Sequence, residues 1–116
     1  MPPTLLFIIT TDPRTSHRPA EAIRIAAGVG VWKQVDVTVY LRGAAVLAVV
    51  EDTGQLVDEE NYRRYLPALA ELGHPIYVQR GAPLLLKPVE RRLKIEELDD
   101  ARLAALAAKS SYVLRF

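Results

Sequence analysis

Thr4-Leu5-Leu6-Phe7-Ile8-Ile9-Thr10 is apolar at every position between its two threonines. A strand with one face in water alternates polar and apolar residues. A run of strand length with no polar position inside it needs cover on both faces, which is the situation of a strand in a parallel sheet with helices above and below. The remaining segments fit that demand. Pro19 stands where a first helical turn tolerates it, and Ala20–Lys33 reads as a helix with two apolar stripes. One stripe is Ile25, Val29 and Trp32, the other the smaller Ala22, Ala26 and Gly30. Such a helix needs two partners, the sheet and a second surface, for which another subunit is the expectation.

Val35–Leu41 alternates and is rich in β-branched residues, so it is a strand. Arg42-Gly43 turns the chain into a short helix, Ala44–Val50. Glu59–Leu72 is helical, with Pro67 as a kink and Gly73 as its C-terminal cap. Pro75–Gln79 and Lys94–Leu98 are further strands, separated by a broken helix, Pro83–Arg92. Asp99 caps the helix Asp100–Lys109, and Tyr112–Phe116 closes as a last strand. Strands alternating with helices make βαβ units and a mainly parallel sheet of five strands with helices on both faces. With 116 residues and no linker or low-complexity tract, residues 1–116 are expected to form one domain.

Composition excludes several classes of function. There is no Cys, so no disulfide, thiolate metal site or sulfur-carrying thiol exists within the chain. Formal net charge is +1, from 15 basic and 14 acidic residues, so no global field draws nucleic acid or anionic lipid. The apolar run Ala44–Val50 is too short to cross a bilayer and the N-terminus lacks a signal pattern. The expectation is a cytoplasmic protein with no membrane contact. Two His without paired spacing give no metal site, Gly28-Val29-Gly30 is not a dinucleotide fingerprint, and few aromatics leave no base-stacking platform. No cofactor is expected.

In open α/β sheets ligands bind beyond the carboxyl ends of the strands. There the chain carries a local echo: Tyr40-Leu41-Arg42-Gly43-Ala44 matches Val78-Gln79-Arg80-Gly81-Ala82. Each copy is a strand end, an Arg, a Gly for the turn and a helix-like start, which places a guanidinium beside helix N–H groups. With Arg14 or Arg18 and the polar residues Thr11 and His17 of the first loop, this rim reads as a site for a small anion. Two or three charge-assisted hydrogen bonds, at about 1.5–3 kcal/mol each, give roughly micromolar to millimolar affinity. The competing reading has each Arg solvated or paired with Glu51, Asp52 or Asp12. His17 is the one plausible general base of the first loop, and His74, at a helix exit, is expected to cap.

Taken together, Leu5–Ile9 with its Pro-containing loop, Ala20-Glu21-Ala22-Ile23-Arg24-Ile25-Ala26, Val37–Leu41 followed by Arg42-Gly43-Ala44, and Leu103–Lys109 leading into Ser111-Tyr112-Val113-Leu114 resemble the DsrE/DsrF/DsrH-like family of small sulfur-relay proteins. The resemblance covers most of the chain as a pattern of residue types. It implies a five-stranded, three-layer α/β/α fold, trimeric or hexameric assembly, and kinship with proteins that pass sulfur toward tRNA thiolation or sulfur oxidation, with a sulfur-relay protein as partner. Active members carry a Cys after the third strand, near Gln79–Gly81 here, and this chain has none. The expected function is therefore that of a non-catalytic, cysteine-less oligomer or scaffold. Its rim, Thr11, Arg14, His17, Arg42 and Arg80, binds a small anion or a partner protein. The rival is a small transferase or hydrolase using His17 as base with Asp12. A third reading places the small helix stripe and Trp32 at a subunit interface.

Overall fold

The computed structural model describes residues 2–50, 55–82 and 93–116. Within them the chain runs β1 (Thr4–Ile9), α1 (Arg18–Val31), β2 (Asp36–Leu41), a 3₁₀ helix (Gly43–Val49), α2 (Glu59–Ala70), β3 (Ile76–Gln79), β4 (Ile95–Leu98), α3 (Asp100–Lys109) and β5 (Tyr112–Arg115). The expected broken helix Pro83–Arg92 lies outside the described residues, as do Glu51 and Asp52.

The apolar run at the N-terminus is an inner strand, as its composition requires. β1 pairs with β2 on one side and β5 on the other, in a five-stranded sheet of order β4-β3-β2-β1-β5. All four pairings are parallel. Opposite faces of β1 meet different layers. Phe7 and Ile9 align with Val39 and Leu41 of β2 and join the main core with Ile23, Ala26, Tyr62, Leu66 and Leu69 of α1 and α2. Leu6 and Ile8 face the other way, into a smaller cluster with Tyr40 and Leu98, over which Leu103, Leu106 and Ala107 of α3 pack. The result is the expected three-layer α/β/α arrangement, with α1 and α2 on one face and α3 on the other.

Two local expectations change. The segment after β2 is a 3₁₀ helix, and it is buried at five successive positions, Ala45 to Val49. Burial all round asks for a tight connector inside the core, a role suited to a 3₁₀ turn. The small stripe of α1 is not left for another subunit. Ala22, Ala26 and Gly30 are buried within the chain, and Leu72, just beyond α2, lies against Gly30. Of the larger stripe, Trp32 stays 67% exposed.

α2 continues through Pro67 and carries one polar group into the core. The Tyr62 side chain is 2% exposed, its hydroxyl has no hydrogen-bond partner among the described residues, and burial pushes the phenol well above its ordinary pKa. A buried hydroxyl without a partner costs about 1–3 kcal/mol of desolvation. Tyr62→Phe is therefore expected to raise stability by about 1 kcal/mol in urea denaturation. A loss of similar size would show that the hydroxyl is hydrogen-bonded in solution.

Candidate functional site

A wholly parallel sheet puts all strand carboxyl ends along one edge of the molecule, and the predicted residues lie on that edge. Backbone bonds carry the ladder one residue beyond two strands: Arg42 N–H donates to Ile9 O at 3.0 Å and Arg80 N–H to Leu98 O at 2.9 Å. Each Arg is thus anchored at its Cα while its side chain is available to the rim. Both following glycines are left-handed, Gly43 at φ +60° and Gly81 at φ +74°, a conformation that strains residues with a Cβ. The sequence echo is a structural repeat on neighbouring strands.

The glycine N–H groups of these turns are not open to a ligand, contrary to the expectation. Gly43 N–H donates to Gln79 Oε1 at 2.9 Å, and Gly81 N–H donates to Glu97 Oε1 at 3.0 Å. In each case the side chain comes from the end of the next strand in the sheet, so β3 satisfies the turn after β2 and β4 the turn after β3. What the rim offers is its guanidinium groups.

Those groups divide into two sets. Arg14 folds back on its own loop: its Nε and Nη2 donate to the two Asp12 oxygens at 3.0 and 2.8 Å, and its backbone N–H donates to Oδ1 at 2.9 Å. The Arg14 guanidinium holds the Asp12 carboxyl below the usual range, and Asp12 in turn holds Arg14 above its own. Arg42 and Arg80 instead turn to adjacent carboxylates in the first turn of α3. Arg42 Nη1 donates to Asp100 Oδ1 at 2.8 Å and also to the Tyr40 hydroxyl at 3.0 Å. Arg80 Nη1 stands 3.8 Å from Asp99 Oδ2 and is 72% exposed. Strand alternation accounts for the difference. Arg42 follows Tyr40 by two positions, on the face where α3 packs, whereas Arg80 follows Val78, on the face of the main core. Asp99 also accepts from Arg102 N–H at 2.8 Å, so the expected cap forms and one carboxylate serves both helix and rim.

Thr11 is half-buried at the base of the first loop and donates its N–H to Phe116 O at 3.2 Å. His17 is exposed just before α1. Its side chain makes no capping bond, while its carbonyl accepts from Glu21 N–H at 2.9 Å. Arg14 engages both Asp12 oxygens, and no side-chain hydrogen bond joins Asp12 to His17 among the described residues. Arg18 lies 5.7 Å over the Phe116 ring, which stacks on Phe7. The expected capping role of His74 is replaced by a contact of its Nε2 with Asp36 Oδ1 at 2.7 Å, at the opposite end of the sheet. Reading the sequence missed Gln79 and Glu97 as turn caps and Asp100 as the Arg42 partner. Their place at or just past the strand ends was the available signal. Among the described residues no three His, Asp or Glu side chains come together as a metal site.

The fold has solved counterparts. The crystal structure of the ychN protein from E. coli superimposes with a TM-score of 0.80, over 98% of this chain and 99% of that one, at 17% identity. At that identity the likeness shows the fold, the five-stranded α/β/α architecture that the sequence resemblance implied. No protein-family model matches the chain, and no curated protein matches it in sequence. No helix among the described residues is long and apolar enough to cross a membrane.

Arg42 holds the Asp100 carboxyl below its ordinary pKa of 3.8, chiefly through their hydrogen bond. A lowered folded-state pKa contributes stability above the unfolded value, which is lost as pH falls through the folded one. The pair is accordingly expected to survive at pH 4 and to break below that. Carboxylate NMR titration checks this: Arg42→Ala should return Asp100 toward the ordinary value. An unchanged Asp100 midpoint in the variant would deny the pair.

Proposed function

We propose that this chain is a non-catalytic, oligomeric DsrE-like subunit that takes a small anion, or a carboxylate of a partner protein, at Arg42 and Arg80. The carrying observation is that, of two guanidinium groups from equivalent Arg-Gly turns, Arg42 donates to Asp100 and Arg80 stands near Asp99, adjacent carboxylates at the start of α3. Exposed ion pairs contribute only about 0–1 kcal/mol, so an incoming sulfate, phosphate or carboxylate exchanges with Asp99 and Asp100 at little cost. Arg14 contributes less, because its bonds to Asp12 are bidentate and local. Thr11 and His17 belong to the first loop, at the same edge of the sheet.

The absence of Cys supports a role other than sulfur carriage in cis. A sulfur-relay partner supplying the thiol, with this chain as scaffold, is the reading that keeps the resemblance and the composition together. Assembly is supported by apolar surface at two places: Val31 and Trp32 at the end of α1, 62% and 67% exposed, and Tyr112 on the edge strand β5, 66% exposed. Exposed edge strands and large apolar patches are normally covered in solution. The enzyme reading, with His17 as base, draws less support, since its proposed partner Asp12 is committed to Arg14.

Sulfate and phosphate titrated against the wild type and the Arg42→Ala, Arg80→Ala double variant test the anion site. At ten times Kd a ligand adds about 1.4 kcal/mol of stability, so the wild type should show a saturable rise in melting temperature that the double variant lacks. Equal shifts in both would remove the anion from the account. Light scattering at micromolar concentration should return a trimer or hexamer, and a monomer would remove the assembly.

A further inference from the structure

The two edges of the sheet are built differently. β4 forms one of them and carries Glu96 and Glu97, both exposed. Adjacent carboxylates on an edge deter a further strand. β5 forms the other edge and is exposed at every position. Its Tyr112, Val113 and Leu114 are apolar, it has no Pro, Lys or acid, and its charge is that of Arg115. The helix above does not roof it. Arg102, Ala105 and Lys109 of α3 turn toward Tyr77 of β3, so helical spacing turns Ala104 and Ala108 the other way, toward β5. Both alanines are exposed.

A strand offers the backbone groups of alternate residues to opposite neighbours. Phe116 bonds inward with both of its groups: its N–H donates to Ile8 O at 2.9 Å, and its carbonyl accepts from Thr10 N–H at 3.0 Å. By that alternation Leu114 and Tyr112 also serve β1, while the N–H and C=O of Val113 and Arg115 face outward. The side chains alternate too. Tyr112 and Leu114 align with Leu5 and Phe7, on the side of the main core, and Val113 aligns with Leu6, on the side of α3.

We propose that β5 pairs antiparallel with β5 of a second copy, about a two-fold axis at Leu114. The pattern is self-complementary: Val113 exchanges N–H···O=C bonds with Arg115 of the other copy, and Arg115 with its Val113. Leu114 meets Leu114 and Tyr112 meets Phe116, so the apolar face continues across the axis. Moving the axis to Arg115 sets like charges opposite each other, which opposes pairing. Moving it to Val113 brings Arg115 against Ser111, whose N–H already donates to Thr4 O at 2.9 Å. The proposal rests on the assembly reading and selects within it. A two-fold contact alone does not build a trimer, but joined to a trimer made through another surface it gives the hexamer.

The chain has no Cys, so a single introduced thiol reports this contact alone. Leu114→Cys in the full chain, oxidised in air, should double in mass on non-reducing electrophoresis. Residues facing each other there have Cα atoms about 4.5 Å apart, within disulfide range. Tyr112→Cys should stay single, since its two copies lie about 13 Å apart along the strands. In hydrogen exchange of the wild type, the Val113 and Arg115 amides should be as slow as those of Leu114 and Phe116. Fast exchange at Val113 and Arg115 beside slow exchange at their neighbours overturns the pairing, as does equal cross-linking of the two variants. An oligomer by light scattering whose Leu114→Cys form does not cross-link also overturns it, leaving assembly to another surface and the edge to a partner's strand. A monomer overturns the pairing and the assembly together.

Discussion

The parallel pairing of β1 with β2 is the constraint on which the other features depend. Aligning Phe7 with Val39 and Ile9 with Leu41 gives one continuous apolar face, while Leu6, Ile8 and Tyr40 give the other. Both faces then demand helices, and parallel strands can be joined only by crossovers. The carboxyl ends of β1 to β4 consequently gather at one edge and the helix C-termini at the other. One end of the molecule therefore carries Arg14, Arg42 and Arg80 beside the acids they pair with. The opposite end carries the C-termini of the helices.

At the arginine end, local structure and electrostatics are solved by different groups. The left-handed glycines make the turns, and Gln79 and Glu97 satisfy their N–H groups. Nothing in the turns themselves needs Arg42 or Arg80. Among the described residues those side chains engage Asp99, Asp100 and Tyr40, in contacts near the surface where ion pairs contribute little to stability. A rim assembled this way can exchange its counter-charges without disturbing the strands beneath. Arg14 contrasts with it. Its three bonds to Asp12 shape the first loop, so its charge serves structure first.

Much of the fold was legible because it depends on local patterns. The unbroken apolar run of β1, the alternation of β2 and the Asp99 cap each state their role within a few residues. The Arg-Gly echo was legible as a repeat, and its copies do occupy equivalent turns on adjacent strands. What could not be read was which acid each Arg would meet, because Asp100 lies 58 positions from Arg42 and is brought there only by the return of α3 beneath the sheet. The same applies to the small stripe of α1. Alanines and a glycine on a helix face ask for a close neighbour, but that α2 and Leu72 supply it is a tertiary fact.

The account turns on Asp99 and Asp100 as occupants that an incoming anion displaces from Arg42 and Arg80. Calorimetric titration of sulfate into Asp100→Asn addresses this directly, since the substitution removes the competing charge next to Arg42 and leaves the Asp99 cap in place. Affinity several-fold tighter than wild type, in line with the loss of one competing exposed ion pair, is the result the account predicts. Affinity equal to or weaker than wild type would contradict it.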